Sequence, residues 1–281
     1  MNETNRQEEC IVLNLGIEGK IAVVTGGGLG LGRSYALTLA SHGVAVAVAD
    51  LDEDNAAAVV EEIHDSGGKA IHVHVDVSDD LSVKKMSSSV VDRLGGIDIL
   101  VNNAGWRPFS DGVANDDLPV SDHGIDDWRR VFAINVFGVL ACTRACRPAM
   151  IARGGGVVVN QSSMSAYRQP ASSYAVSKVT VSALTISLAV ESAAHNIRVN
   201  GIAPGNMTAL NPDTTRLTSD FSRMVHKRLG DRLNAELKMQ LIKRQGLPED
   251  LSGALLYLVS DMSSFVTGTN MIVDGGLTLQ V

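Results

Sequence analysis

The sequence predicts an α/β fold: a single doubly wound domain whose seven-stranded parallel sheet carries helices on both faces. Two observations support this prediction. Short, continuous apolar runs alternate with stretches of helical character along most of the 281-residue chain, and parallel strands that are buried on both faces have this appearance. The first apolar run also leads directly into a glycine-rich turn that opens a helix, a unit from which such folds are built.

The predicted strands are runs rich in Val, Ile and Ala, and they lie at 21–25, 44–50, 70–75, 97–101, 157–161, 198–202 and 270–273. Helical spacing of apolar residues predicts helices between them, over 33–40, 54–65, 81–93, 127–150, 174–195 and 248–260. The sequence contains no internal repeat or low-complexity linker. Residues 17–281 are therefore predicted to form one domain behind an N-terminal arm at 1–16.

Two segments interrupt the alternation of strands and helices. Residues 106–126 are rich in Asp, Gly, Pro and Ser and are expected to shape the mouth of a binding site. Residues 207–246 are charged and of mixed helical character. We expect this insertion to form a lid over the carboxyl ends of the strands, and a surface appendage or an oligomer contact is the alternative interpretation.

The glycine-rich turn reads TGGGLGLG over residues 25–32. Gly26, Gly30 and Gly32 can adopt backbone conformations that other residues avoid, and they let the backbone approach a pyrophosphate closely. The N–H groups that open the following helix attract the same anion. Asp50 ends the second predicted strand, 18 residues after Gly32, where a carboxylate can accept a ribose hydroxyl. The pattern predicts a Rossmann-type dinucleotide site.

A second group of residues indicates proton chemistry. Tyr174 and Lys178 are spaced i, i+4, so on a helix they share one face. An ammonium about 4 Å from a phenol contributes on the order of 4 kcal/mol at an effective dielectric near 20, enough to lower a tyrosine pKa by roughly three units. An upstream strand ends in Ser162-Ser163, where a hydroxyl can polarise a carbonyl. Asn135 interrupts an apolar helix, either to hold a water near Lys178 or to kink the helix.

Taken in order, these motifs resemble the classical short-chain dehydrogenase/reductase family over about residues 17–276. They are the TGxxxGxG turn, Asn102-Asn103-Ala104-Gly105, Asn135, Ser163, Tyr174-x-x-x-Lys178, Pro204-Gly205 and Asp274-Gly275-Gly276. The resemblance implies that Tyr174 is the general acid/base and that Lys178 lowers its pKa and binds a ribose. It also implies that Ser163 polarises the substrate and that Asn135 supports a proton relay. Only 11 residues separate Ser163 from Tyr174, so Ser162 and Ser165 remain alternatives to Ser163.

The resemblance further implies a set of cofactor-binding residues distributed over six segments. They are Gly26, Gly28, Leu29, Gly30, Leu31, Asp50, Leu51, Asp76, Val77, Asn103, Ala104, Gly105, Tyr174, Lys178, Pro204, Gly205, Met207 and Thr208. Within this set, Asn103 is expected near the adenosine ribose, Asp76-Val77 at the adenine and Thr208 near the nicotinamide amide.

The predicted function is that of an NAD-dependent oxidoreductase that interconverts a secondary alcohol and a ketone, a small-molecule substrate. NAD is favoured over NADP because Asp50 would repel a 2′-phosphate. Two alternatives stay open: a dehydratase or epimerase that uses bound NAD, and a non-catalytic scaffold protein that binds a dinucleotide. Arg107, Arg168 or Arg216 could meet an anionic group of the substrate.

Composition restricts the partners. A net charge of -7 without a basic stripe argues against nucleic acid, and the continuous apolar runs are too short to span a membrane. The polar N-terminus and the odd count of three cysteines favour a cytoplasmic protein. Cys142 and Cys146 are expected to be buried apolar residues, and no metal site is predicted. The helix at 174–195 is apolar nearly all round, which predicts a homo-oligomer, a tetramer or a dimer.

Overall fold

A computed structural model of the chain describes residues 14–110, 113–114, 119–168, 172–207 and 237–279. The strands in chain order are β1 (Ile21–Thr25), β2 (Ala45–Asp50), β3 (Ala70–His74), β4 (Ile99–Asn102), β5 (Phe109–Ser110), β6 (Val113–Ala114), β7 (Gly156–Gln161), β8 (Ile197–Pro204) and β9 (Asn270–Val273). Seven of them form one parallel sheet in the order β3-β2-β1-β4-β7-β8-β9, and β5 pairs with β6 in a small antiparallel hairpin. The predicted α/β class and its seven-stranded parallel sheet are confirmed.

The helices are α1 (Gly30–Ala40), α2 (Glu53–Asp65), α3 (Asp80–Leu94), α4 (Ile125–Phe132), α5 (Gly138–Ala152), α6 (Ser173–Ser192) and α7 (Ser252–Val259). Three of them begin at a side chain that accepts an N–H of the first turn, namely Asp52 for α2, Asp79 for α3 and Ser172 for α6. These caps satisfy N–H groups that lack a partner within the helix. The N-terminus of α1 differs, because Leu29 offers no such side chain.

The structure divides two of the predicted helices. The segment predicted at 127–150 extends from α4 to α5 through a π-helical turn, Ala133–Phe137, which contains Asn135. A π-helical turn inserts one residue into the helical repeat and is often found at functional sites. The segment predicted at 248–260 begins instead as a 3-10 turn, Pro248–Leu251, before α7.

Apolar side chains from the two faces of the sheet form two separate clusters. On β1, Val23 points into the cluster shared with α3, α5 and α6, whereas Val24 points into the one shared with α1, α2 and α7. This alternation follows from the two-residue period of a strand. Both faces are thus covered, which is why the strands appear in the sequence as continuous apolar runs.

The order of the strands reverses at β1, which pairs with β2 on one side and with β4 on the other. Ligands of doubly wound sheets bind in the crevice that this reversal leaves at the carboxyl ends of the strands. Thr25, the last residue of β1, holds the crevice together because its Oγ1 accepts the N–H groups of Asn103 and Ala104, each at 3.1 Å.

Two helical segments, Ile125–Ala152 and Ser173–His195, have the length and apolar composition of membrane-crossing helices. The sequence prediction considered only continuous apolar runs and did not single them out. In the fold each segment packs against the sheet and contributes to its apolar cluster, and each buries a polar side chain, Asn135 or Lys178. Core helices of this kind satisfy the same criteria, so the finding is weak evidence for a membrane span.

Cys142 and Cys146 are buried in α5, as the sequence predicts. Burial raises the pKa of the Cys142 thiol and raises that of Cys146 to about 12, which makes both poor thiolate ligands. Within the described ranges, no group of three His, Cys, Asp or Glu side chains could hold a metal ion.

The predicted arm and lid lie largely outside the described residues, since 1–13 and 208–236 are not among them. The two ends of the insertion are described. Met207 and Gly246 form a parallel β-bridge, and the side chain of Gln240 donates to the backbone oxygens of Ile242 and Arg244. The insertion therefore starts and ends at one place beside β8.

Candidate active site

The glycine turn between β1 and α1 has the shape that its sequence predicts. Gly26 and Gly30 have φ values of 61° and 56°, in the left-handed region that favours glycine. A Cβ on Gly26 would lie 2.9 Å from the Cα of Ala104, and a Cβ on Gly32 would collide with the carbonyl oxygen of Gly26. The turn therefore packs tightly against both α1 and the loop that follows β4.

The first turn of α1 is open to an anion. Its N-cap residue, Leu29, makes no side-chain cap, and the first turn carries no acidic residue. The N–H groups at this end, together with the positive end of the helix dipole, form a cradle for a phosphate. Gly28 and Leu31 belong to the same turn, so the structure fits a pyrophosphate at the place where the sequence predicts it.

Asp50 lies beside this turn. Its carboxylate accepts the N–H of Gly28 at 2.8 Å and that of Asp52 at 3.1 Å. Leu51 is 62% exposed at the rim, and Arg33, the nearest cation in the sequence, forms an ion pair with Glu62. A carboxylate held in this way suits a ribose diol better than a phosphate.

The other predicted adenine and ribose contacts continue along the same edge. Val77 is buried, and its side chain lies against Gly138. The carboxylate of Asp76 accepts both the N–H and the hydroxyl of Ser78. Asn103 donates its amide N–H groups to the carbonyl oxygens of Thr25 and Gly26, at 3.0 and 2.9 Å. These bonds show that Asn103 braces the glycine turn.

Gly105 connects the dinucleotide crevice with the proposed catalytic residues. A Cβ at this position would lie 3.5 Å from Oδ1 of Asn135 and 3.6 Å from Nζ of Lys178. Glycine therefore leaves open the space in front of the lysine. The fold thus brings three segments that are distant in sequence, the loop after β4, the π-helical turn and α6, to one place.

Tyr174 lies in the first turn of α6, partly buried at this place. Burial raises the pKa of Tyr174, while the positive charge of Arg107 and a hydrogen bond from Ser163 lower it. The guanidinium carbon of Arg107 lies 4.9 Å from the centroid of the Tyr174 ring. The sequence argument attributed the lowering to Lys178 and did not foresee this contact.

Lys178 is buried and lies farther from the phenol ring than Arg107 does, at 5.6 Å from Nζ to the ring centroid. Its Nζ donates to the backbone oxygen of Gln161 at 2.7 Å. Burial lowers the pKa of the ammonium to about 8. That Lys178 lowers the tyrosine pKa stays a prediction; in this structure burial raises that pKa, and Arg107 and Ser163 oppose the rise.

Asn135 is completely buried, and its amide is held by protein groups. Its Oδ1 accepts the N–H of Trp106 at 2.7 Å, and its Nδ2 donates to Trp106 O at 2.9 Å and to Ser177 Oγ at 3.0 Å. These bonds join the π-helical turn to the loop after β4, which agrees with the helix-kinking interpretation of the residue. Its part in a proton relay stays a prediction.

The three candidate serines have different surroundings. The hydroxyl of Ser162 faces α6, where it donates to Lys178 O and contacts Ser182 Oγ at 2.7 Å. Ser165 donates its backbone N–H to the hydroxyl oxygen of Ser163. Only Ser163 has its hydroxyl hydrogen-bonded to Tyr174. Of the alternatives that the sequence left open, the structure thus favours Ser163.

The last predicted segment follows β8. Pro204 ends that strand, and Gly205 donates its N–H to Val273 O at 2.9 Å. A Cβ on Gly205 would lie 2.7 Å from the Cα of Asp274. Met207 therefore lies where β8 leaves the sheet, and Thr208 lies outside the described residues.

Sequence reasoning missed Gln161 and Tyr35. The backbone oxygen of Gln161 holds Lys178, and its side-chain oxygen accepts the hydroxyl of buried Tyr35 at 2.8 Å. Gln161 is a polar residue at the end of an apolar strand, a signal that could have been used. Tyr35 is one residue within an ordinary helical pattern and gave no such signal.

The sheet and the crevice at its strand reversal define a Rossmann-type α/β protein. A family model described as Enoyl-(Acyl carrier protein) reductase matches residues 27–278. The chain is 35% identical to the 7alpha-hydroxysteroid dehydrogenase of Escherichia coli K12, with 94% of this chain and 96% of that protein covered. It is 36% identical to the cis-4-hydroxycyclohexanecarboxylate dehydrogenase of Sinomonas cyclohexanicum, with 92% and 96% covered.

A solved structure gives the same result. A 7 alpha-hydroxysteroid dehydrogenase complexed with NADH and 7-oxo glycochenodeoxycholic acid superposes with a TM-score of 0.80 at 34% identity, over 94% of this chain and 96% of that one. The chain therefore belongs to the short-chain dehydrogenase/reductase family and is an oxidoreductase of that type.

Proposed function

We propose that the protein is an NAD-dependent dehydrogenase that interconverts a secondary alcohol and a ketone. The observation that carries this proposal is the position of Tyr174. It is hydrogen-bonded to Ser163 and lies beside the crevice that contains the glycine turn and Asp50. A phenol in contact with a hydroxyl donor, next to a dinucleotide crevice, suits proton transfer to and from an oxygen at a carbon that exchanges a hydride.

Each residue has a defined task in this proposal. Bound NAD supplies the hydride acceptor. Tyr174 accepts the alcohol proton during oxidation and returns it to the ketone oxygen during reduction. Ser163 donates a hydrogen bond to the substrate oxygen and stabilises the charge that develops on it. Lys178, held by Gln161, presents an ammonium to the cofactor ribose.

The activities of two relatives support a cyclic secondary alcohol as substrate. One is a hydroxysteroid dehydrogenase, and another acts on a hydroxycyclohexane that carries a carboxylate. We therefore propose an alicyclic alcohol or ketone as the substrate.

A screen of purified protein tests this function. Cyclic alcohols with and without a carboxylate are offered with NAD, and NADH formation is followed by absorbance. We expect steady formation of NADH with at least one alicyclic alcohol and none with its methyl ether. Conversion of a substrate without net NADH would indicate the dehydratase or epimerase alternative. Dinucleotide binding without turnover of any compound would favour the scaffold alternative.

Cofactor choice gives a prediction for Asp50. We expect kcat/KM with NAD to exceed kcat/KM with NADP by at least about tenfold. A carboxylate that faces a phosphate in a partly buried site costs on the order of a few kcal/mol, and each 1.4 kcal/mol is about a factor of ten. Asp50→Ala combined with Leu51→Arg should narrow or reverse the preference, since the change removes the repulsion and adds a phosphate-binding cation. The measurement is kcat/KM with both cofactors.

Asp54→Ala is the matched control for this prediction, because Asp54 is an exposed acid in the first turn of α2 and should leave the preference unchanged. Equal efficiency of the unmutated protein with NADP would show that Asp50 does not face the ribose.

The outer surface of α5 and α6 supports assembly into a homo-oligomer. On α6, Ile186 and Val190 are 53% and 76% exposed and share one helix face. Leu140 and Ile151 of α5 are also exposed, and the ion pair between Arg147 and Glu191 joins the two helices. Exposed apolar side chains on two neighbouring helices are typical of a protein interface.

Ile186→Glu is expected to reduce the molecular mass measured by light scattering to that of a smaller species, because it buries an unpaired carboxylate in the contact. Leu81→Glu, at an exposed Leu on α3, is the control and should leave the mass unchanged. A wild-type protein with the mass of a single chain would contradict this proposal.

A further inference from the structure

The position of Arg107 is set by the loop that follows β4. Its chain neighbour Trp106 has both backbone groups hydrogen-bonded to the buried amide of Asn135, at 2.7 and 2.9 Å. Two residues earlier, Ala104 is tied to Thr25 at the end of β1. The backbone just before Arg107 is thus held by β1 and by the π-helical turn. The guanidinium of Arg107 lies over the ring of Tyr174.

Among the described residues, the charged groups near Tyr174 belong to α6, to the loop after β4, to α4 and to the end of the turn Met164–Tyr167, where Arg168 is exposed. From α6 itself, Lys178 lies 5.6 Å from the ring centroid. From the loop after β4, Arg107 lies at 4.9 Å. The charged side chains of α4, which packs against α6, are engaged elsewhere or point outward: Asp126 pairs with Arg129, Arg130 lies 4.4 Å from the Trp106 ring, and Asp127 is half-exposed. Of the two cations that lie over the Tyr174 ring, Arg107 is the nearer.

The two cations respond differently to alkaline pH. Burial lowers the pKa of Lys178 to about 8 and raises the pKa of Tyr174 above its usual value. A guanidinium keeps its charge throughout this range. Arg107, 4.9 Å from the centroid of the Tyr174 ring, is therefore a positive charge that alkaline pH does not remove.

We propose that Arg107 is a positioning residue for Tyr174: its guanidinium stabilises the phenolate that accepts the alcohol proton and so sets the pH range of catalysis. This inference deepens the proposed dehydrogenase function and depends on it for its catalytic meaning. No additional chemical step is involved, since the proton still passes between the substrate oxygen and Tyr174. Arg107 acts by Coulomb attraction to the negative form of the phenol, and a cation within about 4–6 Å lowers the pKa of such a group by roughly 1–3 units.

The first test follows the phenol directly and needs no turnover. Ultraviolet absorbance is recorded as a function of pH for the wild-type protein, and the titration of Tyr174→Phe is subtracted, so that only the phenolate of Tyr174 remains. The same subtraction is made for Arg107→Met and Arg107→Gln, each against its double variant with Tyr174→Phe. We expect both neutral variants to move the midpoint upward by about one pH unit or more, and Arg107→Lys to move it less.

The second test uses the rate of alcohol oxidation with NAD. Since the reactive form is the phenolate, kcat/KM rises with pH through the tyrosine midpoint, and this rise should move upward by a similar amount in Arg107→Met and Arg107→Gln. The rate at high pH should stay within several-fold of the wild-type rate. Arg130→Met is the matched control, because it removes a neighbouring cation that lies on Trp106, and it should not move the midpoint.

The alternatives give different results. A uniform loss of rate without a shift of the midpoint would assign a merely structural role to Arg107 and overturn the inference. A loss confined to anionic alcohols, again without a shift, would make Arg107 a substrate anchor and overturn it as well. If the phenolate titration shifts but the wild-type protein oxidises no alcohol, the contact between Arg107 and Tyr174 is supported while the proposed function fails.

Discussion

Replacement of Tyr174 by Phe is expected to reduce kcat for alcohol oxidation by about 10²–10⁴, the usual contribution of a general acid/base. The substitution removes one oxygen, and the remaining ring still occupies its site under Arg107. The affinity for NAD should therefore change little. The measurement combines steady-state rates with the quenching of protein fluorescence by NAD, so that catalysis and binding are read separately.

Tyr167→Phe is the matched control for this experiment. Tyr167 lies in the short turn between β7 and α6, and its exposed side chain makes a long hydrogen bond to Ser182, at 3.4 Å. Its loss should affect kcat by less than about twofold, since exposed hydrogen bonds contribute little. A Tyr174→Phe variant that kept more than about a tenth of the activity would show that another group moves the proton.

Lys178→Met is expected to lower kcat/KM by about 10²-fold or more and to weaken NAD binding as well. The two effects together distinguish it from Tyr174→Phe, which should alter catalysis alone. The ammonium occupies a defined position, 2.7 Å from Gln161 O, and the Met side chain cannot make that bond or carry the charge. Lys178→Arg should not restore activity, because a planar guanidinium cannot replace a compact ammonium in a buried site.

An exposed lysine serves as control for this variant. Lys84→Met lies on the outer face of α3 and should leave both kcat and the NAD affinity unchanged. If Lys178→Met bound NAD as tightly as the wild-type protein does, the role of Lys178 at the ribose would have to be abandoned, and its hydrogen bond to Gln161 would have only a structural meaning.

Much of the fold could be predicted because its signals are local. Strand β1 and strand β9 begin and end where the apolar runs predict, since continuous apolar residues are what a doubly covered sheet requires. The edges of the other strands shift by one or two residues, because pairing with neighbours decides where a strand ends. The π-helical turn at Ala133–Phe137 could not be predicted, since it depends on bonds from Asn135 to a loop about 30 residues away.

The residues of the candidate site also differ in how far the sequence could predict them. Gly26, Asp50 and Tyr174 could be singled out because each is a chemically special residue at a strand end or helix start. The partner of the Lys178 ammonium could not be predicted from the sequence. It is a backbone oxygen, and every residue has one, so residue type gives no signal. The resemblance already pointed to Ser163, but only the structure separates it from Ser162 by surroundings, because both follow the same strand.

The sequence by itself determined the fold class, the family resemblance and the glycine turn between β1 and α1, because residue type and spacing specify periodicity, turn geometry and strand-end chemistry. Only the tertiary structure decided the electrostatics at the phenol. Burial raises the pKa of Tyr174, and Arg107 from a distant loop lies nearer to the phenol ring than Lys178 does, because Lys178 donates to Gln161. The physical reason is that a pKa depends on the distance to charges and on access to water, and both are set by how segments far apart in sequence pack together.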